Sequence, residues 1–277
     1  MLTPILREYY NTYRVKLSVA ILERFKTSEI FNNNPYVDRV FPVLKDVWND
    51  FSNSDIGFFE VQKMGEQLAI ENNMSSIFIN HPRPRHKVLI NAESLRITLN
   101  SYNINVFISN NEREIANELI NKFVGNNPYG FIQTHTGAGN RELPEGFGKK
   151  WLKKNMGLNH FIEVDKTYHH KEYNINIQFE MLRRASAVCL TESVFYCACG
   201  GLNKNVDFVY CPNGIDAYNR IKNLDSTTIE NVFYEIPSIW YMLNKYKILC
   251  GGGLGDSAMI FSKLSKLDIP INEINLW

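Results

Sequence analysis

Three segments of the sequence place glycines, hydroxyl groups or acids at the end of a predicted strand. In the first of them, the run 247–250 leads into Gly252, Gly253, Gly255 and Asp256, and a helical pattern follows. Glycines let the backbone approach a ligand closely, and the N-terminus of the following helix favours an anion. The spacing is neither that of a dinucleotide-binding loop nor that of a Walker A loop. A tight turn capped by Asp256 is the alternative interpretation.

The second segment follows a predicted strand over 129–134 and is polar and rich in glycine. Its candidate ligands for an anion are Thr134, His135, Thr136, Gly137, Lys149 and Lys150. Hydroxyl groups, backbone amides and a lysine together suit a diphosphate. A glycine-rich surface loop with solvated lysines is the alternative, and this segment taken alone slightly favours it.

The third segment follows an apolar run over 187–190 and begins with Thr191, Glu192 and Ser193. At the end of a buried strand, the carboxylate could hold ribose hydroxyls and Ser193 could reach a phosphate. Both side chains could equally cap the helix that the next residues predict. The sequence leaves these two interpretations open.

Apolar, β-rich runs alternate with helical patterns along the chain. Predicted strands cover 14–20, 76–79, 104–108, 129–134, 161–164, 187–190, 207–210 and 247–250, and predicted helices include 112–124, 177–184 and 228–236. Short apolar strands that alternate with helices are typical of an α/β fold, with parallel sheets covered by helices on both faces. Such a fold would bring the three polar segments to the carboxyl ends of the strands, where ligands bind.

Composition favours an ordinary folded protein. The chain has 277 residues, 44% of them hydrophobic, and a formal net charge of +1. This charge removes the usual electrostatic argument for a nucleic-acid partner. No run approaches the roughly 20 apolar residues of a membrane span, and the first residues lack a signal-peptide pattern. The cysteines between Cys189 and Cys211 favour buried thiols over a metal site, so we expect a cytoplasmic protein.

Together these segments resemble the heptosyltransferase-type glycosyltransferases of family nine, which have the GT-B fold. Residues 253–256 are similar to the Gly-x-Gly-Asp loop of the family's first domain, and residues 34–40 to its Asn-Pro-Tyr-Val-Asp-x-Val stretch. The glycine-rich segment 131–151 and the pair Glu192-Ser193 are similar to two donor-side loops of its second domain. The resemblance covers most of the chain and implies two Rossmann-type domains whose parallel sheets face a cleft.

The segments also depart from the family pattern. Glu192 replaces an aspartate, and Val194 and Cys197 stand near the positions of a glycine and a histidine. The lysine pair before Trp151 lacks the family's proline. These departures favour, as one alternative, a catalytically silent nucleotide- or sugar-binding protein of the same fold. A sugar-nucleotide epimerase is another alternative, although the sequence offers few of the extra carboxylates and histidines that it would need.

The motifs lie in circularly permuted order relative to the family. The family's first loop stands at 253–256, behind the other motifs, and joining the two chain ends would restore the family order. Chain breaks of this kind, natural or engineered, are tolerated in exposed loops. We therefore expect 1–111 and 241–277 to build an acceptor-side Rossmann-like domain. We expect 112–225 to build the donor-binding Rossmann-like domain, and 226–240 to form a helix that crosses back.

The resemblance implies a single inverting displacement in which Asp256 is the general base on an acceptor hydroxyl. The leaving nucleoside diphosphate would be stabilised by the second segment, without a metal or a cofactor. Glu192 would hold the ribose and Ser193 a phosphate. Arg83 and Arg85 could meet phosphates on the acceptor, although a solvated loop is favoured there. The expected partners are a nucleotide sugar and a glycan or lipid-linked saccharide; peripheral membrane association and oligomeric state stay open.

Overall fold

The computed structural model describes residues 2–22, 27–43, 54–77, 86–135, 141–164, 173–222, 224 and 231–234. All of these belong to a compact unit of residues 1–234, and a second unit of residues 235–277 lies outside the described residues. The site predictions that lie outside the described residues concern Arg83, Arg85, Thr136, Gly137, Gly252, Gly253, Gly255 and Asp256.

Helices and strands alternate through the described part of the chain. The helices are α1 (Thr3–Tyr13), α2 (Ser54–Glu71), α3 (Lys87–Ser94), α4 (Asn110–Val124), α5 (Phe147–Met156), α6 (Ile175–Arg184), α7 (Val194–Gly201) and α8 (Gly214–Ile221), and a 3-10 helix spans Thr27–Phe31. The strands are β1 (Leu17–Leu22), β2 (Val37–Val43), β3 (Tyr129–Gln133), β4 (His160–Glu163), β5 (Ala187–Thr191), β6 (Phe208–Tyr210) and β7 (Val232–Phe233). Among these described helices, none is both long and apolar enough to cross a membrane.

The first sheet pairs β1 with β2 in parallel within the described residues. Its core is formed by Leu6 of α1, Val19 of β1 and Phe31 of the 3-10 helix, all of which are buried. A parallel pair needs a crossover between its strands, and the 3-10 helix provides part of that connection.

Within the described residues, the second sheet has five parallel strands in the order β4-β3-β5-β6-β7. Every residue of β3 and β5 is buried, which explains why both strands read as continuous apolar runs. The chain passes from β3 to β4 on one side, and then returns to place β5 on the other side of β3. The position between β3 and β5 is therefore the switch point of the sheet.

Helices cover both faces of this sheet, as the alternating pattern predicts. On one face, Phe147 and Trp151 of α5 pack against Phe208, with ring centroids 5.2 and 5.1 Å apart. On the other face, Phe131 of β3 packs against Phe195 of α7, at 5.6 Å between centroids. The crossover from β3 to β4 runs in one direction along the sheet, and the crossovers after β4 run in the other. Right-handed crossovers in opposite directions lie on opposite faces, which places α5 on one face and α7 on the other.

A buried carboxylate ties the 3-10 helix region to α4 and α6. Glu112 is 7% exposed and completes a capping box with Ser109 at the start of α4. Its carboxylate also accepts hydrogen bonds from the side-chain amides of Asn33 (3.1 Å), Asn174 (2.9 Å) and Asn176 (3.2 Å). One side chain therefore connects a segment of the first sheet's layer with two helices of the second.

The strand predicted over 104–108 is wrong, since this segment has no regular secondary structure. Part of its hydrogen bonding goes to α1 instead of to a neighbouring strand. Arg7 Nη1 donates to Asn105 Oδ1 over 2.7 Å, and the backbone amide of Asn105 donates to Thr3 Oγ1 over 2.9 Å. The apolar pattern therefore identified a partly buried segment but not its partner.

The helix predicted over 228–236 is wrong at its centre, where Val232 and Phe233 form β7 beside β6. The Phe233 ring stacks on Phe208, with 4.7 Å between centroids. A β-branched residue beside an aromatic residue fits the surface of a sheet, and this packing outweighs the helical spacing. The crossover helix expected over 226–240 is corrected at these two residues.

Candidate functional site

The candidate site lies at the carboxyl ends of β3 and β5, on either side of the switch point. The loop after β3 begins with Thr134, and the loop after β5 begins with Glu192. Loops at a switch point diverge and leave a crevice, which is where open parallel sheets bind their ligands. The structure thus brings the second and third polar segments of the sequence together.

A hydrogen bond joins the two loops at their base. Ser193 Oγ donates to Oε1 of Gln133 over 2.6 Å, and Nε2 of Gln133 donates to the carbonyl of His135. Gln133 is only 1% exposed, so both of its amide atoms are satisfied away from solvent. Sequence reasoning missed Gln133, although a polar side chain that ends a buried apolar strand is a readable signal.

Ser193 stands at the N-cap position of α7, but its hydroxyl makes no capping hydrogen bond. Because that hydroxyl is bonded to Gln133, Ser193 does not cap the first turn of α7. Such a helix N-terminus presents N–H groups and a partial positive charge, both of which favour an anion. The capping interpretation therefore does not describe Ser193.

Glu192 is buried between the ends of β5 and β6. Its backbone amide donates to the carbonyl of Tyr210 over 2.9 Å. One carboxylate oxygen, Oε2, accepts from Asn213 Nδ2 at 3.2 Å, and the other, Oε1, lies 3.7 Å from Arg141 Nη1. A carboxylate held in this way is 6% exposed and has little freedom to move. Asn213 and Arg141 are further site residues that sequence reasoning missed.

The loop after β3 starts buried and becomes accessible one residue later. Thr134 is almost fully buried, and its carbonyl accepts from the amide of Leu143 over 3.0 Å. His135 is partly exposed, and its Nδ1 lies 3.9 Å from Oε2 of Glu142. The side chain of Thr134 is therefore packed into protein, whereas that of His135 is partly accessible to solvent.

The two predicted lysines lie in the first turn of α5. Lys149 Nζ is 2.6 Å from Oε2 of Glu163, the last residue of β4. Lys150 is exposed, and its backbone amide donates to the carbonyl of Gly146 over 3.1 Å. The structure thus places Lys149 toward the β4 side of β3, with part of its charge balanced by a carboxylate.

Buried thiols lie beneath the site. Burial raises the pKa of Cys211, directly after β6, to about 12, and it holds the pKa of Cys189 on β5 well above its usual range. These thiols are therefore neutral near pH 7, which agrees with the expectation of buried, unreactive cysteines. Within the part of the chain that the structure describes, no group of three or more His, Cys, Asp or Glu side chains could hold a metal ion.

Comparison with known proteins identifies the fold. No protein-family model and no curated protein matches the sequence. The structure is similar to a family 9 glycosyl transferase from Veillonella parvula DSM 2008, with 14% identity over 96% of this chain and 92% of that chain, and a TM-score of 0.58. It is also similar to the ADP-heptose LPS heptosyltransferase II of E. coli, with 9% identity over 88% of this chain and 92% of that chain, and a TM-score of 0.51. The expected GT-B-like α/β fold is therefore confirmed.

Proposed function

We propose that the protein is a glycosyltransferase that moves a sugar from a nucleotide-diphosphate sugar to a hydroxyl group of a glycan or glycolipid acceptor. The observation that carries the proposal is the Ser193–Gln133 hydrogen bond, because it fixes two polar loops side by side at the switch point of a parallel sheet. Two proteins of similar fold are named as a glycosyl transferase and an ADP-heptose heptosyltransferase, which supports a nucleotide-sugar donor here.

The proposed diphosphate position lies over the N-terminus of α7. The uncapped first turn of that helix offers N–H groups, and Lys150 in the first turn of α5 offers a positive charge. Preorganised donors of this kind stabilise the negative charge that develops on a leaving diphosphate. Lys149 joins them when it exchanges Glu163 for a phosphate oxygen. Glu192 accepts hydrogen bonds from the ribose hydroxyls.

The proposed chemistry is one inverting displacement without a metal. Asp256 accepts the proton of the acceptor hydroxyl while that oxygen attacks the anomeric carbon. The bond from the anomeric carbon to the diphosphate oxygen breaks, and the nucleoside diphosphate leaves with the electron pair.

A thermal-shift screen against nucleoside diphosphates and nucleotide sugars tests donor binding. A ligand at 100 times its Kd stabilises the folded protein by about 2.7 kcal/mol, which such a screen detects. We expect one nucleoside diphosphate to stabilise the wild type, and Lys150→Ala or Glu192→Ala to lose most of that shift. Lys154→Ala is the matched control, because Lys154 is an exposed lysine in the last turn of the same helix. If no nucleotide shifts the melting temperature even at high concentration, the proposed donor class is wrong.

An assay of transfer or donor hydrolysis tests the catalytic step separately. Asp256→Ala should abolish turnover while the thermal shift with the nucleoside diphosphate persists. Full activity in Asp256→Ala would reject Asp256 as the general base. Persistent nucleotide binding without turnover of any donor by the wild type would instead favour the binding-protein alternative.

A further inference from the structure

The amino edge of the second sheet, where its strands begin, lies opposite the candidate site. Tyr129, the first residue of β3, pairs with His160, the first residue of β4. Its neighbour Gly130 pairs with Ala187, the first residue of β5, so the three strands begin side by side. Each strand follows a helix after a short connection: α4 precedes β3, α5 precedes β4 and α6 precedes β5. The C-terminal ends of these three helices therefore lie at this edge.

The amino edge is strongly basic. The last turns of its helices carry five cations: Lys122 of α4, Lys153 and Lys154 of α5, and Arg183 and Arg184 of α6. The segments 122–128, 153–159 and 183–186 contain no Asp or Glu, although the whole chain has a net charge of only +1. All five side chains are exposed, and among the described residues Glu180 is the one acid in an ion pair with any of them, Arg183. A surface of one sign attracts a partner of the opposite sign.

Two bulky apolar side chains are exposed among these cations. Phe123 of α4 follows Lys122 directly, and Met156 is the last residue of α5; each is 38% exposed. The helix dipole favours a cation at the end of a helix, but it gives no reason to expose a phenyl ring or a thioether beside that cation. Cations mixed with exposed apolar side chains are typical of surfaces that rest on a lipid bilayer. There the charges meet the headgroups and the apolar groups enter the interface.

We propose that the amino edge of the second sheet is a docking surface for a membrane that contains anionic phospholipids. Each lysine or arginine close to such a membrane strengthens binding about fivefold, so the cations of this edge and its two apolar side chains together support reversible attachment. This inference goes beyond the proposed function, because it concerns where the protein is held and not what it transfers. The candidate site lies at the other ends of β3 and β5, roughly 15 Å away for strands of this length, so a donor can bind while the protein is docked.

Co-sedimentation of the full chain with lipid vesicles tests this surface. The protein should bind vesicles of phosphatidylcholine with about 30% phosphatidylglycerol but not vesicles of phosphatidylcholine alone, and binding should fall steeply as salt is raised. The double variant Lys122→Gln/Lys154→Gln should weaken binding about tenfold or more. Arg96→Gln/Arg113→Gln is the matched control, because it removes the same charge from exposed side chains elsewhere, and it should change binding less than about twofold. Arg113 lies in the first turn of α4, at the opposite end of that helix from Lys122.

A second double variant, Phe123→Ser/Met156→Ser, tests the apolar part of the surface without a change in charge. It should weaken vesicle binding about threefold or more, and Met156→Ser alone carries this test if the double variant fails to fold. The soluble polyanion heparin serves as the competing probe. If heparin binds as tightly as the vesicles and both apolar side chains are dispensable, the edge binds an anionic polymer and the membrane assignment is overturned.

The remaining outcomes separate docking from donor binding. No binding to anionic vesicles at low salt overturns the inference, and so does equal binding by the wild type and Lys122→Gln/Lys154→Gln. An equal loss in Arg96→Gln/Arg113→Gln also overturns it, because the effect would then be one of total charge. Displacement of the vesicles by a nucleoside diphosphate would place the contact in the candidate site and overturn the docking surface. Since nucleotide binding is measured separately, each proposal can fail while the other stands.

Discussion

Replacing Glu112 with alanine should destabilise the protein by about 3 kcal/mol. The capping box that Glu112 forms with Ser109 contributes about 1 kcal/mol. Asn176 is 0% exposed, and its Nδ2 also donates to the carbonyl of Glu29, so the loss of Glu112 leaves one of its two N–H groups buried without an acceptor, at about 1–3 kcal/mol. Asn174 is half-buried and Asn33 is exposed, so water replaces part of what they lose. The capping box and the buried N–H group of Asn176 together give about 2–4 kcal/mol, and the predicted loss lies at the middle of this range.

Urea unfolding of the full chain measures this loss. The matched control is Glu114→Ala, since Glu114 is an exposed carboxylate two residues further along the same helix and should cost less than about 0.5 kcal/mol. A loss of about 3 kcal/mol also lowers the melting temperature by roughly 6–12 °C for a protein of this size. If Glu112→Ala lies within about 1 kcal/mol of Glu114→Ala, the reasoning from buried hydrogen bonds is refuted.

Three further predictions concern the site and the thiols. Ser193→Ala should lower the free energy of unfolding by about 1–2 kcal/mol, because the buried Oε1 of Gln133 loses its donor. An unchanged free energy of unfolding in urea titrations would contradict this. Glu163→Gln should change the free energy of unfolding by less than about 1 kcal/mol, since Lys149 is half-exposed and water screens its ion pair with Glu163. A larger loss of stability in thermal melts, insensitive to salt, would contradict this. Raising the pH from about 7.5 to about 9.5 should lower the free energy of unfolding. The pKa of Cys211 is raised to about 12 in the folded protein, whereas an unfolded thiol ionises near 8.5. Only the unfolded chain therefore releases the proton in this pH range, which favours unfolding. Cys211→Ala should make this fall shallower in urea titrations, and an unchanged slope would refute the linkage.

The bounds of the strands in the second sheet could be predicted closely, because these strands are buried on both faces. Their apolar residues therefore follow one another directly instead of recurring at a fixed spacing. The runs 129–134 and 187–190 correspond to Tyr129–Gln133 and Ala187–Thr191. A strand between two neighbours, with helices on both faces, is apolar over most of its length, and the sequence shows such a run directly. The polar residues Gln133 and Thr191 stand at the ends of the two strands. At 228–236, by contrast, apolar spacing fitted a helix, and only the neighbouring β6 favours the strand that forms there.

The positions of the site loops could be predicted, but the pairs between them could not. Thr134 and Glu192 follow apolar runs, so the ends of their strands are visible in the sequence. Which loops touch depends on strand order, which no local pattern encodes. Lys149 meets Glu163 because β4 lies beside β3, and Arg141 meets Glu192 because β5 lies on its other side. Polar pairs of this kind arise from topology, and they decide which charges remain available for a ligand.

The predicted circular permutation has a testable consequence for the stability of the first sheet. Among the described residues that sheet has β1 and β2, and so small a sheet is marginal without further strands or helices to cover it. Two segments from the other end of the chain would supply them under this prediction: the strand predicted over 247–250, and 273–277, which is likewise predicted as a strand. Moving 241–277 in front of Met1 through a short linker should therefore preserve stability. Deleting 241–277 should lower hydrogen-exchange protection in β1 and β2 while the amides of β5 keep theirs. Unchanged protection of β1 after the deletion would refute the permuted domain, because its sheet would then be complete without those strands.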